Sequence, residues 1–353
     1  MSDGNRRQDR PSVGPSADFL PPRWLRNRHM QTIWPSLFRR VTLTEPVRER
    51  LTTPDDDFLN LDWYRNGNRR LAVISHGLEG HSRRPYVLGM VRILLAQGWD
   101  VLAWNFRSCG GELNRQLRFY HSGATEDLEQ VVTHALDTGD YRQAALVGFS
   151  IGGNLSLVYL GQQGWTADPR LLGAIVFSVP CDLKGSAAQL ARPENRIYMR
   201  RFVRDLRAKM EAKHQRFPKQ VDLTGIANVL TFQDFDDRYT APLHGFRDAE
   251  DYWAQCSSRF FLDRIQRPAL IVNALDDPFL SPGCFPTELT AANAYLDLET
   301  PEHGGHVGFV PAAVAEPRHY WSELRAAAFL DALSECAVPG SQSEATTKAG
   351  GNS

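Results

Sequence analysis

One serine in this chain lies in a setting that favours nucleophilic chemistry. Ser150 is the centre of the segment Gly148-Phe-Ser-Ile-Gly152, which follows the apolar run 144–147 and precedes the amphipathic stretch 151–160. A strand, a sharp turn and a helix in this order present a serine hydroxyl at the top of a sheet, and glycines two residues away on either side leave room for the turn. Ser150 is therefore the candidate nucleophile.

A serine hydroxyl attacks a carbonyl only when a neighbouring base takes its proton. Two histidines, His303 and His306, follow the predicted strand 294–298 and should lie at the sheet edge that carries Ser150. We favour His306 as the base, because two glycines precede it and give the backbone freedom to bring the imidazole over Ser150. His303 comes earlier in the loop, where we expect it to contact solvent.

The base in turn needs a carboxylate that orients it. Asp276 and Asp277 are adjacent after the predicted strand 268–273. We favour Asp276, because it occupies the usual place of the acid in the turn after the strand, whereas Asp277 precedes Pro278 and would shape the turn. The predicted catalytic residues are Ser150, Asp276 and His306, with Asp277 as the alternative acid.

Backbone N–H groups must also stabilise the negative charge that develops on the carbonyl oxygen. One donor is expected to be the N–H of Ile151, directly after the nucleophile. The other is expected in the loop Ser75-His-Gly-Leu-Glu-Gly80, which follows an early predicted strand. Because His76 and Gly77 end that strand, Leu78 is the predicted second donor of this oxyanion hole.

Strands and helices alternate along most of the chain. The pattern of apolar residues predicts strands at 71–75, 99–105, 144–148, 171–178, 268–273 and 294–298, helices at 86–97, 125–138, 151–160 and 318–333, and an earlier hairpin made of 40–45 and 58–64. Strands that are apolar throughout and separated by helices form a mostly parallel sheet covered on both faces. The predicted fold class is therefore α/β.

The alternation stops between about residues 181 and 266, where the stretch 196–210 has apolar residues on one helical face and arginines on the other. We predict a helical cap insertion that covers Ser150. Residues 19–336 are expected to form one domain, and the polar segments 1–18 and 337–353 to be disordered.

Composition limits the possible functions. The chain has 353 residues, a net charge of −1 and 42% hydrophobic residues, which is typical of a globular protein and gives no electrostatic reason to bind nucleic acid. Its five cysteines have no metal-type spacing, and no segment has the pattern of a secretory signal or a membrane span. We expect a cytoplasmic enzyme that needs no cofactor and no metal.

Five stretches of the chain resemble one known family. They are Leu25-Arg-Asn-Arg-His-Met-Gln-Thr-Ile-Trp-Pro35, Ser75-His-Gly-Leu-Glu-Gly80, Asn105-Phe-Arg-Ser-Cys-Gly-Gly-Glu112, Phe235-Asp-Asp-Arg-Tyr-Thr-Ala-Pro-Leu-His-Gly-Phe246 and Gly304-Gly-His-Val-Gly-Phe309. The chain resembles the YheT-like branch of the α/β-hydrolases, whose bacterial members are described as esterases and whose eukaryotic relatives include lipid hydrolases. The resemblance implies the α/β-hydrolase fold with a helical cap, and a Ser-Asp-His triad carried over to Ser150, Asp276 and His306. Ser108 departs from the pattern, because relatives usually have glycine there.

Together these features predict a serine hydrolase that cleaves a small-molecule ester, possible substrates being acyl and lipid esters, through an acyl-enzyme. An acyltransferase that uses the same three residues is the alternative within catalysis. A catalytically silent α/β-hydrolase that serves as a binding module is the alternative outside it, and the complete order of Ser150, Asp276 and His306 argues against that class. The oligomeric state stays open.

Overall fold

The computed structural model of the protein describes residues 19–312 and 319–337. The segments predicted to be disordered, 1–18 and 337–353, lie outside these ranges apart from residue 337. Within the described part of the chain, eight strands form one sheet. The strands are β1 (Val47–Thr52), β2 (Phe58–Tyr64), β3 (Arg70–Ser75), β4 (Asp100–Asn105), β5 (Gln143–Phe149), β6 (Leu171–Phe177), β7 (Ala269–Val272) and β8 (Leu296–Glu299).

The helices lie between and around these strands. They are α1 (Arg28–Phe38), α2 (Pro85–Ala96), α3 (Thr125–Thr138), α4 (Ile151–Gln163), α5 (Leu183–Leu190), α6 (Arg196–Arg216), α7 (Phe232–Phe235), α8 (Ala241–His244), α9 (Ala249–Cys256), α10 (Thr287–Ala292) and α11 (Trp321–Cys336). A π-helical turn, Asp236–Thr240, joins α7 to α8.

The sheet has the strand order β1-β2-β4-β3-β5-β6-β7-β8. β3 to β8 run parallel to one another, whereas β2 is antiparallel to both β1 and β4. The carboxyl ends of the parallel strands therefore meet at one edge of the sheet, and β5 lies near its centre. This architecture confirms the predicted α/β class.

The central strands bury side chains on both faces of the sheet. Along β5, Leu146 belongs to the apolar cluster on one face, while Ala145 and Val147 belong to the cluster on the other. Side chains of α3 and α4 complete the first cluster, and side chains of α2 and α11 complete the second. Because helices cover both faces, both sets of strand residues are apolar, and the strands appear in the sequence as uninterrupted apolar runs.

The hairpin at the edge of the sheet begins later than the sequence predicted. Its first strand is β1 rather than the segment 40–45, and it pairs with β2 along its whole length. The turn between the two strands is closed by a hydrogen bond from the Thr53 N–H to the Asp57 carbonyl oxygen (3.1 Å). Such a short turn pairs β2 with the residues just before it, so the more distant 40–45 segment stays outside the sheet.

Between β6 and β7 the chain leaves the sheet and forms α5 to α9. The longest of these helices, α6, has an apolar face that is largely buried, with Met199, Val203, Leu206 and Met210 in the core. Side chains from α5, α6, α7 and α9 line a pocket that contains Ser150. This helical segment therefore lies over the carboxyl end of β5.

Candidate active site

Ser150 lies in the turn between β5 and α4. Its backbone has φ 54° and ψ −123°, a conformation that residues with a side chain rarely adopt. The Ser150 N–H donates to the Phe177 carbonyl oxygen at the end of β6 (2.9 Å), and the Gly153 N–H donates to the Ser150 carbonyl oxygen (2.9 Å). Hydrogen bonds on both sides thus hold this strained turn at the sheet edge.

The two glycines of the motif are required by lack of space. A Cβ added at Gly152 would lie 2.4 Å from the Ser75 carbonyl oxygen, and one added at Gly148 would lie 2.5 Å from the Gly153 Cα. Backbone atoms cannot yield to contacts this short. The turn can therefore form only because these two positions lack a side chain.

His306 brings an imidazole to the serine. Its Nε2 lies 3.0 Å from Ser150 Oγ. Two backbone hydrogen bonds fix the loop that carries it: the His306 N–H donates to Thr32 Oγ1 (2.9 Å), and the Val307 N–H donates to Ser178 Oγ (2.8 Å). The stretch 25–35, called the arm below, and the end of β6 both therefore position His306, which the sequence did not reveal.

The carboxylate next to His306 belongs to Asp277, not to Asp276 as the sequence predicted. Asp277 Oδ2 lies 2.9 Å from His306 Nδ1, and its Oδ1 lies 3.2 Å from the same atom. The side chain of Asp277 is fully buried. The cause of the difference is the turn 274–277, closed by a hydrogen bond from the Asp277 N–H to the Ala274 carbonyl oxygen (3.1 Å). The last residue of that turn comes back towards the sheet, whereas Asp276 is one of its two central residues.

Asp276 contacts the loop of His306 at a different place. Its Oδ1 accepts a hydrogen bond from the Gly305 N–H (2.9 Å), and its Oδ2 lies 3.4 Å from His303 Nδ1. Burial raises the pKa of the Asp276 carboxyl. Asp276 and His303 therefore form a second acid–histidine pair, which supports the backbone of the loop beside the first pair.

The loop after β3 passes directly over the serine. A Cβ added at Gly77 would lie 3.2 Å from Ser150 Cβ. The Gly77 N–H donates to the Tyr86 hydroxyl (2.9 Å), whereas the N–H groups of Leu78 and Ile151 have no hydrogen-bond partner among residues 19–312 and 319–337. The two N–H groups that the sequence singled out as oxyanion donors are thus available beside Ser150.

Glu79, the residue after Leu78, is held in the left-handed backbone region with φ 50°. Its N–H donates to the Tyr120 hydroxyl oxygen (3.0 Å), and the Tyr120 O–H donates to its carboxylate (2.6 Å). Lys209 of α6 donates to the same carboxylate oxygen (2.6 Å), and both charged side chains are largely buried. Lys209 therefore connects the helical segment between β6 and β7 to the loop that carries the Leu78 N–H.

Removing one side of this ion pair is expected to destabilise the protein. Lys209→Met leaves the Glu79 carboxylate buried without its cation, which should lower the free energy of unfolding by about 3 kcal/mol. Urea denaturation of Lys209→Met, Glu79→Gln and the double variant measures the effect. We expect the double variant to lose less than the sum of the two single losses, and strictly additive losses would show that the two side chains do not interact.

An apolar pocket of about 790 Å³ opens beside Ser150. We call it the aromatic pocket, because its lining includes many aromatic side chains, namely Phe119, Tyr120, Phe202, Phe232, Phe235, Tyr252, Trp253 and Phe279. Its described lining residues include no lysine and no arginine. A pocket of this kind binds an apolar group of a ligand.

One carboxyl group lies in the wall of the aromatic pocket. Asp236 accepts hydrogen bonds from Thr240 Oγ1 (2.6 Å) and from Trp253 Nε1 (2.9 Å). Burial raises the pKa of Asp236 to about 7. The folded protein therefore retains this proton at pH values at which the unfolded chain has released it.

Asp236 should make the protein less stable as the pH rises from about 4 to about 7, because the folded state binds more protons than the unfolded state in this window. Below the window both states carry the proton, and above it neither does, so the whole penalty is present at pH 8. Asp236→Asn, which stays neutral, is expected to gain stability relative to the wild type between pH 5 and pH 8. Urea denaturation at both pH values measures the gain, with Asp140→Asn at an exposed position as the control. The same pH dependence in Asp236→Asn and the wild type would contradict the assignment.

Ser108 shows how a departure from the family pattern is accommodated. Its φ is 65°, in the left-handed region that favours glycine. The Asn114 N–H donates to its Oγ (3.2 Å), and Ser108 Oγ donates to Asn114 Oδ1 (2.5 Å). These two side-chain contacts hold a conformation that glycine adopts without help.

The described residues contain neither a metal-binding cluster nor a membrane-spanning helix. No group of three or more histidine, cysteine, aspartate or glutamate side chains within residues 19–312 and 319–337 could hold a metal ion. In the same residues, no helix combines the length and the apolar character needed to cross a lipid bilayer.

Comparison with known proteins agrees with this fold. The family model of the alpha/beta hydrolase fold matches residues 73–313. The chain is 35% identical over 316 residues to "Putative esterase YheT" of Escherichia coli (strain K12), which covers 88% of this chain and 92% of that protein. It is 30% identical over 305 residues to phospholipase ABHD3 of Mus musculus, which covers 83% of this chain and 73% of the relative.

A solved structure shows the same architecture. The Pyrococcus furiosus esterase Pf2001 superposes with a TM-score of 0.55 at 15% identity, over 83% of this chain and 95% of that one. The chain therefore belongs to the α/β-hydrolase family. Within that family it is a member of the YheT-like branch, as the resemblance in the sequence indicated.

Proposed function

We propose that the chain is a serine hydrolase that cleaves carboxylic esters through an acyl-enzyme. The proposal depends chiefly on one continuous set of contacts, from Ser150 Oγ to His306 Nε2 (3.0 Å) and from His306 Nδ1 to Asp277 Oδ2 (2.9 Å). Relatives are named esterase, phospholipase and, in Saccharomyces cerevisiae, monoacylglycerol lipase, which supports a hydrolase of ester substrates.

The first half of the reaction forms the acyl-enzyme. Ser150 Oγ attacks the ester carbonyl carbon while His306 Nε2 takes the hydroxyl proton. Asp277 accepts the hydrogen bond from His306 Nδ1–H and stabilises the imidazolium that forms. The N–H groups of Leu78 and Ile151 donate to the oxyanion. The carbon–oxygen bond to the alcohol then breaks, and the alcohol leaves with the proton from His306.

The second half releases the acid. A water molecule gives a proton to His306 and attacks the acyl carbonyl carbon, so that a second oxyanion forms in the same place. Its collapse breaks the bond to Ser150 Oγ, which recovers its proton from His306. The products are one alcohol and one carboxylic acid, and the enzyme returns to its starting state without a cofactor.

Product analysis tests this proposal against acyl transfer. Purified protein is incubated with p-nitrophenyl butyrate and p-nitrophenyl octanoate, with and without an added alcohol or thiol acceptor. We expect free acid in amounts that match the released p-nitrophenol. An acylated acceptor with little free acid would assign the protein to the acyltransferases, and no release of p-nitrophenol from any ester would favour a silent binding module.

We propose that the enzyme is located in the cytoplasm. Support comes from the cysteines, because all five have free thiols. Cys336 is exposed, and the other four, Cys109, Cys181, Cys256 and Cys284, are not. Free thiols persist where glutathione and thioredoxin keep the compartment reducing.

A further inference from the structure

Ser150 lies at the meeting point of two clefts with different chemistry. One is the aromatic pocket. The other, of about 1100 Å³, runs between α1 and the loop 77–80 on one side and the first turns of α2 and α6 on the other. We call it the arm-side cleft. Both clefts are lined by Ser150, His306, Phe202 and Phe279, so a single ester bound at the serine would extend into both.

The arm-side cleft carries uncompensated positive charge. Arg84 and Arg201 line it, and no carboxylate of residues 19–312 and 319–337 forms an ion pair with either. The Arg84 guanidinium donates one hydrogen bond, to the Glu79 carbonyl oxygen (3.1 Å). Two arginines without a carboxylate partner in the described part of the chain therefore line this cleft.

The two carboxylates that line the same cleft each have a cation partner outside its lining. Glu79 is paired with the buried Lys209 (2.6 Å), and Asp205 is paired with Arg204 (2.8 Å). Neither Lys209 nor Arg204 is among the lining residues. The cleft therefore presents two cations to a ligand, whereas the described lining of the aromatic pocket has none.

The residues beside His306 and Ser150 distinguish the roles of the two clefts. In acyl-enzyme formation the imidazole gives its proton to the departing alcohol, so the alcohol must leave on the side of His306. Val307 and Thr32, which flank the base, line the arm-side cleft alone. Ile151, which carries an oxyanion N–H, lines the aromatic pocket alone. The alcohol part of the ester thus belongs in the arm-side cleft, and the acyl part in the aromatic pocket.

We propose that the substrate is an ester of an apolar acid with an alcohol that carries an anionic group, and that Arg84 and Arg201 bind this anion. This assignment rests on the proposed ester hydrolysis. A guanidinium binds a carboxylate or a phosphate through two parallel hydrogen bonds. Arg84 and Arg201 then select the substrate, whereas the triad performs the reaction.

Pairs of hexanoyl esters test the proposal, because the two members of each pair share one acyl group and differ in whether the leaving group carries an anion. The carboxylate arm compares 3-(hexanoyloxy)benzoate with 3-(hexanoyloxy)benzamide. The phosphate arm compares 1-hexanoylglycerol 3-phosphate with 1-hexanoylglycerol. At low salt, we expect kcat/KM to favour the anionic member of at least one pair by about tenfold or more. In about 0.5 M NaCl this preference should shrink, because ions screen exposed charges.

Variants assign the preference to the two arginines. Arg84→Gln and Arg201→Gln are each expected to lower the anionic-to-neutral ratio of kcat/KM about fivefold or more, and Arg84→Lys to lower it less because the charge remains. The ratio compares two substrates of the same variant. A general loss of activity or of folded protein therefore does not change it. Arg83→Gln and Arg200→Gln, which alter exposed arginines adjacent in sequence but outside the cleft, should leave the ratio unchanged.

The outcomes separate this proposal from the proposed function. Equal turnover of anionic and neutral esters by the wild type would overturn the anion site and leave the ester hydrolase intact. A preference that persists in both glutamine variants would equally overturn the assignment to Arg84 and Arg201. Turnover of no ester in any arm, together with no covalent labelling of Ser150 by a fluorophosphonate, would overturn the proposed function itself. A preference in one arm only identifies the anion as carboxylate or phosphate and supports the site.

Discussion

Asp277→Asn is expected to lower kcat for ester hydrolysis by about 10⁴-fold, the loss seen when the acid of a serine triad is made an amide. Asp277 Oδ2 lies 2.9 Å from His306 Nδ1, and its side chain is fully buried. An amide at this position cannot stabilise the imidazolium, and its NH₂ group favours the tautomer in which Nε2 can no longer accept the proton of Ser150. Steady-state kinetics with a p-nitrophenyl ester measure the loss.

Asp276→Asn is the matched control, because it makes the same chemical change at the neighbouring residue. Its oxygen can still accept the hydrogen bond from the Gly305 N–H that Asp276 Oδ1 accepts at 2.9 Å. We expect kcat to fall by less than about tenfold, since only the support of the loop is altered. If Asp276→Asn were the more damaging of the two, the pairing of His306 with Asp277 would not be the catalytic one.

Ser150→Ala is expected to reduce ester hydrolysis by about 10⁶-fold, because the nucleophile is removed and only binding and oxyanion stabilisation remain. The backbone contacts of the turn do not involve the hydroxyl, since the Ser150 N–H donates to Phe177 and its carbonyl accepts from Gly153 (both 2.9 Å). The variant should therefore fold normally. Hydrolysis rates measured over days and a thermal melt of the same sample give both results.

The thermal melt is needed to interpret that loss. A variant that melts within a few degrees of the wild type and hydrolyses nothing places the chemistry on Ser150. Wild-type activity in Ser150→Ala would require another nucleophile. Cys109 is an unsuitable substitute, because burial raises the pKa of its thiol to about 12 and the thiolate is the reactive form.

Local sequence was sufficient to predict the turn that holds Ser150, the candidate nucleophile. The strand, the glycines at 148 and 152 and the helix are neighbours along the chain, so short-range sterics determine their structure. The sheet was predictable for a similar reason, because strands buried on both faces are apolar throughout. The first strand of the hairpin was not, since its position depends on which residues the turn at 53–57 brings opposite β2.

Which aspartate lies beside His306 depended on geometry that residue type does not encode. Asp276 and Asp277 are the same residue type and are adjacent in the same turn. Each contacts a group in the loop that carries His306. Which one reaches His306 is decided by the hydrogen bond that closes the turn at Ala274. A preference based on counting positions from the end of the strand could not include that contact.

Contacts between distant parts of the chain were also invisible in the sequence. Thr32 reaches the His306 N–H across 274 residues, and Lys209 reaches Glu79 across 130. Arg84, which precedes α2, and Arg201 of α6 are far apart in the sequence and both line the arm-side cleft. The arm 25–35 was one of the five stretches that resemble the family, and that resemblance did not indicate which atoms it contacts.

The central claim is that Ser150 is the nucleophile of an ester hydrolase, and mass spectrometry of the protein after reaction with a fluorophosphonate tests it most directly. We predict one adduct per chain, on the peptide that contains Ser150, and its absence in Ser150→Ala. Asp277→Asn should label far more slowly than Asp276→Asn. An adduct on another residue, or equal labelling of the wild type and Ser150→Ala, would contradict the claim.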